Sequence, residues 1–182
     1  MIICLGDSHS SVFSQEERIV SQWPKKDYKV FSKFKPIRIG PSTAYNLEKK
    51  VNLLNKILNR TFYLSKDYVL FCFGEVDIRA HIIKQSKLQN KDSEYLIKEC
   101  VDRYIDAIKK VNPKRPIKKA IFAPIASWTE EKPYNGPSFG TNIERNNVTK
   151  IFNNYLNQVQ SCLIFYLPQC YISLFFLVLS SN

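Results

Sequence analysis

The chain has few histidines and no aspartate in its last third. Of its 182 residues only His9 and His81 are histidines, and the last aspartate is Asp106. A reaction that needs an imidazole base therefore has two candidate positions in the whole sequence. The five cysteines form no Cys-x-x-Cys pair and have no metal-ligand spacing to a histidine. The sequence thus predicts no metal site and implies no cofactor.

The first residues and the thiols favour a cytoplasmic protein. No basic segment precedes the apolar run that begins at Ile2, and we therefore expect no cleavable secretion signal. Cys4 and Cys72 lie in apolar strand patterns, where we interpret them as small buried side chains. An odd number of such thiols suits a reducing compartment, so we expect a cytoplasmic location.

Acidic residues are scarce relative to basic ones. Lys and Arg number 27 against 16 Asp and Glu, which gives a formal net charge of +11. Between Lys25 and Arg38 lysines alternate with aromatic residues, a pattern that can neutralise phosphates and stack bases in a nucleic acid. The alternative is an edge strand whose lysines face water, since no RNA-binding signature accompanies the stretch. A third interpretation is a site that attracts an acidic glycan.

Charged residues are absent after Lys150. The sequence predicts one domain at 1–160 and an atypical, uncharged, apolar tail at 161–182. Cys162 to Leu167 is a candidate fifth strand. The rest of the tail is open to three interpretations, which are a membrane tail, a buried strand, and a chain end that has lost its ancestral sequence. The membrane tail is not favoured, because Pro168 interrupts the apolar run and no basic flank anchors it.

Strand and helix patterns alternate along the chain. Short apolar runs predict four strands, at Ile2–Leu5, within Tyr28–Ile39, at Tyr68–Phe73 and at Lys119–Ile125. Amphipathic patterns predict helices that open at Ser42, Ser93 and Thr141, and Thr141-x-x-Glu144 is a capping box. This order predicts a parallel sheet covered on both faces by helices, a three-layer α/β/α sandwich.

The turn after the first strand holds a candidate nucleophile. Gly6-Asp7-Ser8-His9 ends the apolar run, and a glycine can take the backbone angles of a tight strand-to-helix turn. The Ser8 hydroxyl is then held at the carboxyl edge of the sheet, where open α/β folds bind ligands. A serine in this position is either a nucleophile or the cap of the next helix.

Two later segments repeat the pattern of a strand followed by a glycine. Gly40 follows the second strand region, and Gly74-Glu75-Val76-Asp77-Ile78-Arg79 follows the third. With Gly6-Asp7-Ser8-His9, these blocks resemble the first three blocks of the SGNH, or GDSL-type, hydrolase superfamily in order, spacing and strand context. The chain is most similar to a branch with Gly-Asp-Ser-His in the first block and Gly-Glu-(Ile/Val)-Asp-x-Arg in the third.

The resemblance implies a flavodoxin-like α/β/α fold and a serine esterase or deacylase that acts on small substrates such as acylated carbohydrates. Matched block by block, Ser8 would be the nucleophile, and N–H groups of the Ser8 turn and of Gly40 would hold the oxyanion. The start of the helix after Gly40 also favours a nearby anion, so an anionic ligand is a further expectation.

Two departures bear on activity. Val76 stands where the family has an asparagine whose side-chain amide helps to hold the oxyanion, and valine cannot donate a hydrogen bond. The family's last block, Asp-x-x-His, which supplies the catalytic base, is absent. We therefore expect weak or no ester hydrolysis. The alternatives are a catalytically degenerate protein that binds a ligand or glycan, and a basic nucleic-acid-binding protein.

His81 is the candidate for a substitute base. It lies four residues after Asp77, so the two side chains could pair on a helical turn. Glu75, Asp77 and Arg79 form a charged cluster at the predicted sheet edge, where such groups serve as structural ion pairs or as substrate contacts. Together with Asp7 and Gly74, they are the residues that we expect to support the site.

Overall fold

Five strands alternate with helices in a computed structural model of the chain, which describes residues 1–14, 22–25, 33–125, 138–159 and 164–167. The strands are β1 (Ile2–Gly6), β2 (Phe34–Arg38), β3 (Tyr68–Cys72), β4 (Lys118–Phe122) and β5 (Ile164–Leu167). The α-helices are α1 (Val51–Arg60), α2 (Ile83–Gln89), α3 (Ser93–Lys110) and α4 (Asn142–Val159). Two 3-10 helices (Ser8–Phe13 and Leu47–Lys50) and a π-helix (Asp77–Ile82) complete the described elements.

The strands form one parallel sheet with the order β2-β1-β3-β4-β5. This is the flavodoxin-like order, in which the chain crosses from one side of β1 to the other and ligands bind where the direction changes. Gly6, the last residue of β1, lies opposite Arg38 of β2 and Cys72 of β3. The ends of these three strands therefore meet at the centre of the carboxyl edge.

Alternate residues of β1 belong to two separate cores. Ile3 and Leu5 pack into the larger core with the buried sides of α1, α3 and α4. Ile2 and Cys4 point to the opposite face, where Phe13 of the first 3-10 helix stacks on Phe34 of β2 and meets Phe122 of β4 edge to face. Because helical segments pack on both faces of the sheet, the predicted three-layer α/β/α fold is confirmed.

The helix predicted to open at Thr141 is confirmed together with its cap. The Thr141 N–H donates to Glu144 Oε2 at 2.6 Å, and the Glu144 N–H donates to Thr141 Oγ1 at 3.1 Å. Each side chain thus satisfies a backbone donor that the helix itself leaves unpaired.

The helix predicted to open at Ser42 begins later than expected. The Leu47–Lys50 turn leads into α1, and the Asn46 N–H donates to Thr43 Oγ1 at 3.2 Å. The prediction of a Ser42 cap is therefore wrong. The four residues after Gly40 are instead held by contacts from another part of the chain, which are described below.

A helical segment after β3 was not predicted. The Asp77–Ile82 π-helix runs directly into α2, and its buried side chains include Ile78 and Ile82. Isoleucines four residues apart are a helical signal that the analysis of the sequence overlooked. π-helical turns inside helices are frequent at functional sites, and this one contains three of the predicted site residues, Asp77, Arg79 and His81.

The two ends of the sheet test two further interpretations. β2 is an edge strand of the described sheet, which confirms the edge-strand interpretation for residues 34–38, and a proline such as Pro36 is tolerated there. Residues 26–32 of the basic stretch lie outside the described residues. β5 pairs with β4 and confirms the predicted fifth strand.

The apolar tail is described only at Ile164–Leu167, so the boundary between 160 and 161 and the three interpretations of the tail stay predictions. Within the described ranges, no helix has both the length and the apolar character needed to cross a bilayer.

Candidate functional site

The three glycine blocks meet at the carboxyl edge of the sheet. Ser8 opens the 3-10 helix two residues after β1. The Ile39 N–H donates to the Gly6 carbonyl at 2.9 Å, which fixes Gly40 beside the end of β1. Gly74 follows β3 by two residues on the other side of β1. The resemblance placed these blocks at adjacent strand ends, and the parallel sheet does bring them to one edge.

Ser8 is half-buried, and no residue in the described part of the chain hydrogen-bonds to its hydroxyl. Its neighbours hold the turn: Ser10 Oγ donates to the Asp7 carbonyl at 2.8 Å, and Asp7 Oδ1 accepts the His9 N–H at 2.8 Å. The side chain that satisfies a backbone donor here is therefore Asp7. Ser8 does not act as the cap, and its hydroxyl is left for another partner.

Two glycines at this edge have backbone angles that other residues rarely adopt. Gly40 has φ +89° and Gly74 has φ +110°. Gly40 is also covered closely, since a Cβ atom there would lie 2.5 Å from Gln22 Oε1 and 2.8 Å from Gln22 Nε2. The Gln22 carboxamide thus lies against the residue that was matched to the oxyanion site. Sequence analysis missed Gln22, and no motif marks it.

Asp77 anchors the segment that follows Gly40. Its buried carboxylate accepts the N–H of Ala44 at 2.7 Å and that of Tyr45 at 3.2 Å, and the Cys100 thiol donates to it at 3.6 Å. Burial raises the pKa of Asp77 to about 6 against these hydrogen bonds, which lower it. Asp77 itself takes the two N–H groups next to this helix start, so an external anion does not find them free.

His81 and Asp77 do not form the predicted pair. Among the described residues, no hydrogen bond or ion pair joins His81 to Asp77 or to Ser8. The His81 side chain is exposed and lines a cavity whose wall includes Asp77. Partial burial and the nearby charges of Lys84 and Arg79 lower the pKa of His81, so its imidazole is neutral at pH 7.

His9 is the histidine that contacts the predicted charged cluster. Its Nδ1 lies 3.0 Å from Asp7 Oδ1 and its Nε2 lies 3.2 Å from Glu75 Oε2, while Arg79 Nε donates to Glu75 Oε1 at 2.7 Å. Burial alone would lower the pKa of His9, but the hydrogen bond to Asp7 and the charge of Glu75 outweigh it and raise the pKa. These contacts tie the turn after β1 to the turn after β3, and both imidazole nitrogens are engaged.

The two histidines should affect stability with opposite dependence on pH. The raised pKa of His9 means that its contribution is complete below pH 6.5 and is lost as the pH rises through the folded pKa. Relative to His9→Gln, the wild-type protein should lose free energy of unfolding as the pH rises above about 6.5, by no more than about 1 kcal/mol because the ring is partly open to solvent.

The matched variant is His81→Gln, measured by urea unfolding over the same pH series. Because the pKa of His81 is lowered, the wild-type protein should gain stability relative to this variant as the pH rises. If the stability difference from wild type changed with pH in the same direction for His9→Gln and His81→Gln, that result would contradict the contacts described for His9.

The fold and the site define an α/β protein of flavodoxin-like strand order, with a serine at the central sheet edge whose hydroxyl has no partner among the described residues. No family model matches the chain, and no curated protein matches it. Among solved structures, a carbohydrate acetylesterase from Sinorhizobium meliloti is similar over 91% of this chain and 82% of its own, with 13% sequence identity and a TM-score of 0.48. At this identity and score, the likeness carries no inference about activity or substrate.

Proposed function

We propose that the chain is an SGNH-type serine hydrolase, with Ser8 as the nucleophile and low turnover on small acylated substrates such as sugar esters. The observation that carries the proposal is the position of Ser8: a half-buried hydroxyl without a partner among the described residues, at the edge where β1, β2 and β3 end. Open α/β sheets of this order bind ligands at that edge.

The reaction would proceed in two steps. Ser8 Oγ attacks the ester carbonyl carbon and loses its proton, and the substrate's alcohol leaves with a proton to give an acyl-enzyme. Water then attacks the acyl carbon, and the carboxylic acid leaves as Ser8 recovers its proton. Each step passes through an oxyanion, for which the backbone N–H groups of Ser8 and Gly40 are the proposed donors.

Gln22 is the candidate for the donor that Val76 does not supply. Its carboxamide covers Gly40, and a side-chain amide can donate to an oxyanion in the way that the family's asparagine does. Glutamine at this place would act from the β2 side of Ser8 instead of the β3 side.

Low turnover is expected because no histidine hydrogen-bonds to Ser8 among the described residues. His9 contacts Asp7 and Glu75 through its two nitrogens and makes no hydrogen bond to Ser8 among the described residues, so it does not take the Ser8 proton in this arrangement. His81 is neutral at pH 7 and could accept a proton, but it has no contact with Ser8 among the described residues. In the state described, water takes the proton from Ser8, and the rate rests on binding and on the oxyanion donors.

Hydrolysis of nitrophenyl acetate tests the proposal. We expect a rate slightly above that of buffer, which Ser8→Ala abolishes and which Ser93→Ala, a half-exposed serine at the start of α3, leaves unchanged. Gln22→Ala should lower the Ser8-dependent rate by about tenfold, because one oxyanion donor is lost. His81→Ala tests whether His81 is the base, since this variant loses the Ser8-dependent rate only if His81 takes the proton from Ser8.

A serine-directed fluorophosphonate gives a second readout that does not depend on turnover. Mass spectrometry should find the label on Ser8. Hydrolysis that survives Ser8→Ala, together with a label on another residue, would remove the nucleophile assignment.

A catalytically degenerate ligand-binding protein is the second candidate function. It is favoured by the absence, among the described residues, of an imidazole hydrogen-bonded to Ser8. It predicts that a small acylated ligand binds at this edge with no Ser8-dependent hydrolysis. The nucleic-acid alternative stays a prediction, because residues 26–32 of the basic stretch lie outside the described residues.

A further inference from the structure

A concave site lies between segments that follow the sheet edge. It is a cavity of about 360 Å³ between the segment that follows Gly40, the π-helix, α2 and α3. Ser8, Gly40 and Gly74 are not among its lining residues. Its size falls within the range of pockets that hold small molecules. The proposed reaction at Ser8 does not account for it.

The wall of this cavity is rich in neutral groups that both donate and accept hydrogen bonds. The carboxamides of Asn46, Gln85 and Gln89 line it together with the Thr43 hydroxyl. Gln89 Nε2 donates to Gln85 Oε1 at 2.9 Å, which leaves the Gln85 amide nitrogen and the Gln89 carbonyl oxygen without partners among the described residues. One open donor and one open acceptor therefore lie side by side on α2.

The remaining lining residues decide the charge and polarity of the ligand. Among the described residues that line the cavity, Lys91 is the one cationic side chain, whereas Asp77 and Glu99 are acidic, and Glu99 also pairs with Arg103 at 3.3 Å. The imidazole of His81 is neutral, and Leu96 supplies an apolar surface. A phosphorylated or otherwise anionic ligand finds no excess of positive charge here, and an acyl chain would bury the carboxamides without partners.

We propose that this cavity binds a neutral polyhydroxylated ring of the pyranose class. Each hydroxyl of such a ring both donates and accepts, which matches adjacent carboxamides, while its C–H face packs on the apolar side chain. The ring fits the size of the cavity, and its lack of charge fits the balance of Lys91 against two carboxylates.

The cavity wall follows Gly40 and Gly74 closely along the chain, so in the proposed reaction it would hold the sugar of an ester that reaches Ser8. Thr43 lies three residues after Gly40, and Asp77 lies three residues after Gly74. Three residues span at most about 10 Å. This connection rests on the proposed function, whereas binding of the ring itself does not.

Titration with unacylated sugars tests the site without any chemistry. The probes are the methyl glycosides of glucose, galactose, mannose and N-acetylglucosamine, followed by ¹H–¹⁵N spectra of the full chain, with glucose 1-phosphate as the anionic comparison. We expect saturable shifts confined to the residues around the cavity for at least one glycoside, and weaker binding of the phosphate.

The matched variants remove or keep glutamines on exposed helix surfaces, where alanine is well tolerated. Gln85→Ala with Gln89→Ala should weaken binding by about fivefold or more, because the open donor and acceptor are lost. Gln158→Ala, an exposed glutamine on α4, should leave the affinity unchanged. The proposal is overturned if no glycoside gives saturable shifts at tens of millimolar, if the double variant binds as the wild type does, or if the sugar phosphate binds more tightly.

Ser8→Ala separates this proposal from the proposed function. It should bind the glycoside with wild-type affinity, since Ser8 does not line the cavity. Failure of ester hydrolysis with intact sugar binding would remove the hydrolase alone. Ser8-dependent hydrolysis without sugar binding would remove the cavity proposal alone.

Discussion

Replacing Asp77 by alanine is expected to lower the free energy of unfolding by about 3 kcal/mol, since two buried backbone donors lose their acceptor. The N–H groups of Ala44 and Tyr45 both donate to this carboxylate, which is 1% exposed. Asp77→Ala also removes the free-energy cost of burying a charge. The loss of the two hydrogen bonds is larger than this gain, because the buried N–H groups stay in place after their acceptor is removed.

Urea unfolding with a two-state fit measures this loss. Asp106→Ala is the control, since Asp106 is an exposed carboxylate on α3 and its removal should change stability little. Hydrogen exchange at Ala44 and Tyr45 should accelerate in the Asp77→Ala protein beyond what the global loss explains. Unchanged exchange at both amides would show that Asp77 does not hold this segment.

Asp77→Asn separates the charge of Asp77 from its hydrogen bonds. The folded pKa of about 6 lies above the ordinary value of 3.8, so the folded protein binds the proton more tightly than the unfolded chain. Relative to Asp77→Asn, the wild type should therefore be most stable below about pH 4 and lose on the order of 3 kcal/mol as the pH rises to about 7. If the difference in free energy of unfolding between the wild type and Asp77→Asn did not vary with pH, that result would contradict the burial of this carboxyl.

Gly74→Ala should destabilise the protein by about 4 kcal/mol, because strain and overlap add at one position. The φ angle of +110° disfavours any side chain, and an added Cβ would lie 2.8 Å from Pro124 Cγ and 3.2 Å from Phe152 Cζ. Since Phe152 is fully buried in the larger core, its ring cannot move away without disturbing α4.

Two comparisons separate backbone strain from steric overlap in the stability that Gly74→Ala is expected to lose. Thermal and urea unfolding measure the stability of each variant. Position 90 has another positive φ, +49°, on an exposed helix end, so the loss in Asn90→Ala relative to Asn90→Gly should show the strain alone, about 1 kcal/mol. Adding Pro124→Ala to Gly74→Ala should recover part of the overlap. A loss in Gly74→Ala no larger than that of Asn90→Ala relative to Asn90→Gly would show that the neighbours yield and that close packing does not require this glycine.

The sequence determined those features of this protein that arise from neighbouring residues. Apolar runs that end in glycine marked β1, β2 and β3 and placed Ser8, Gly40 and Gly74 after them. The Thr141 capping box marked the start of α4, because its two hydrogen bonds span only three residues. Strand-helix alternation then implied a parallel sheet, and in such a sheet consecutive carboxyl ends must share an edge.

Only the tertiary structure decided which partners the polar groups at that edge have. Asp77 was expected to orient His81 four residues away, but it binds backbone amides more than thirty residues earlier in the chain. Glu75 reaches His9, and the Gln22 carboxamide covers Gly40, in contacts that no local pattern marks. A carboxylate takes the nearest unsatisfied buried donors, and chain folding over long separations determines which donors those are.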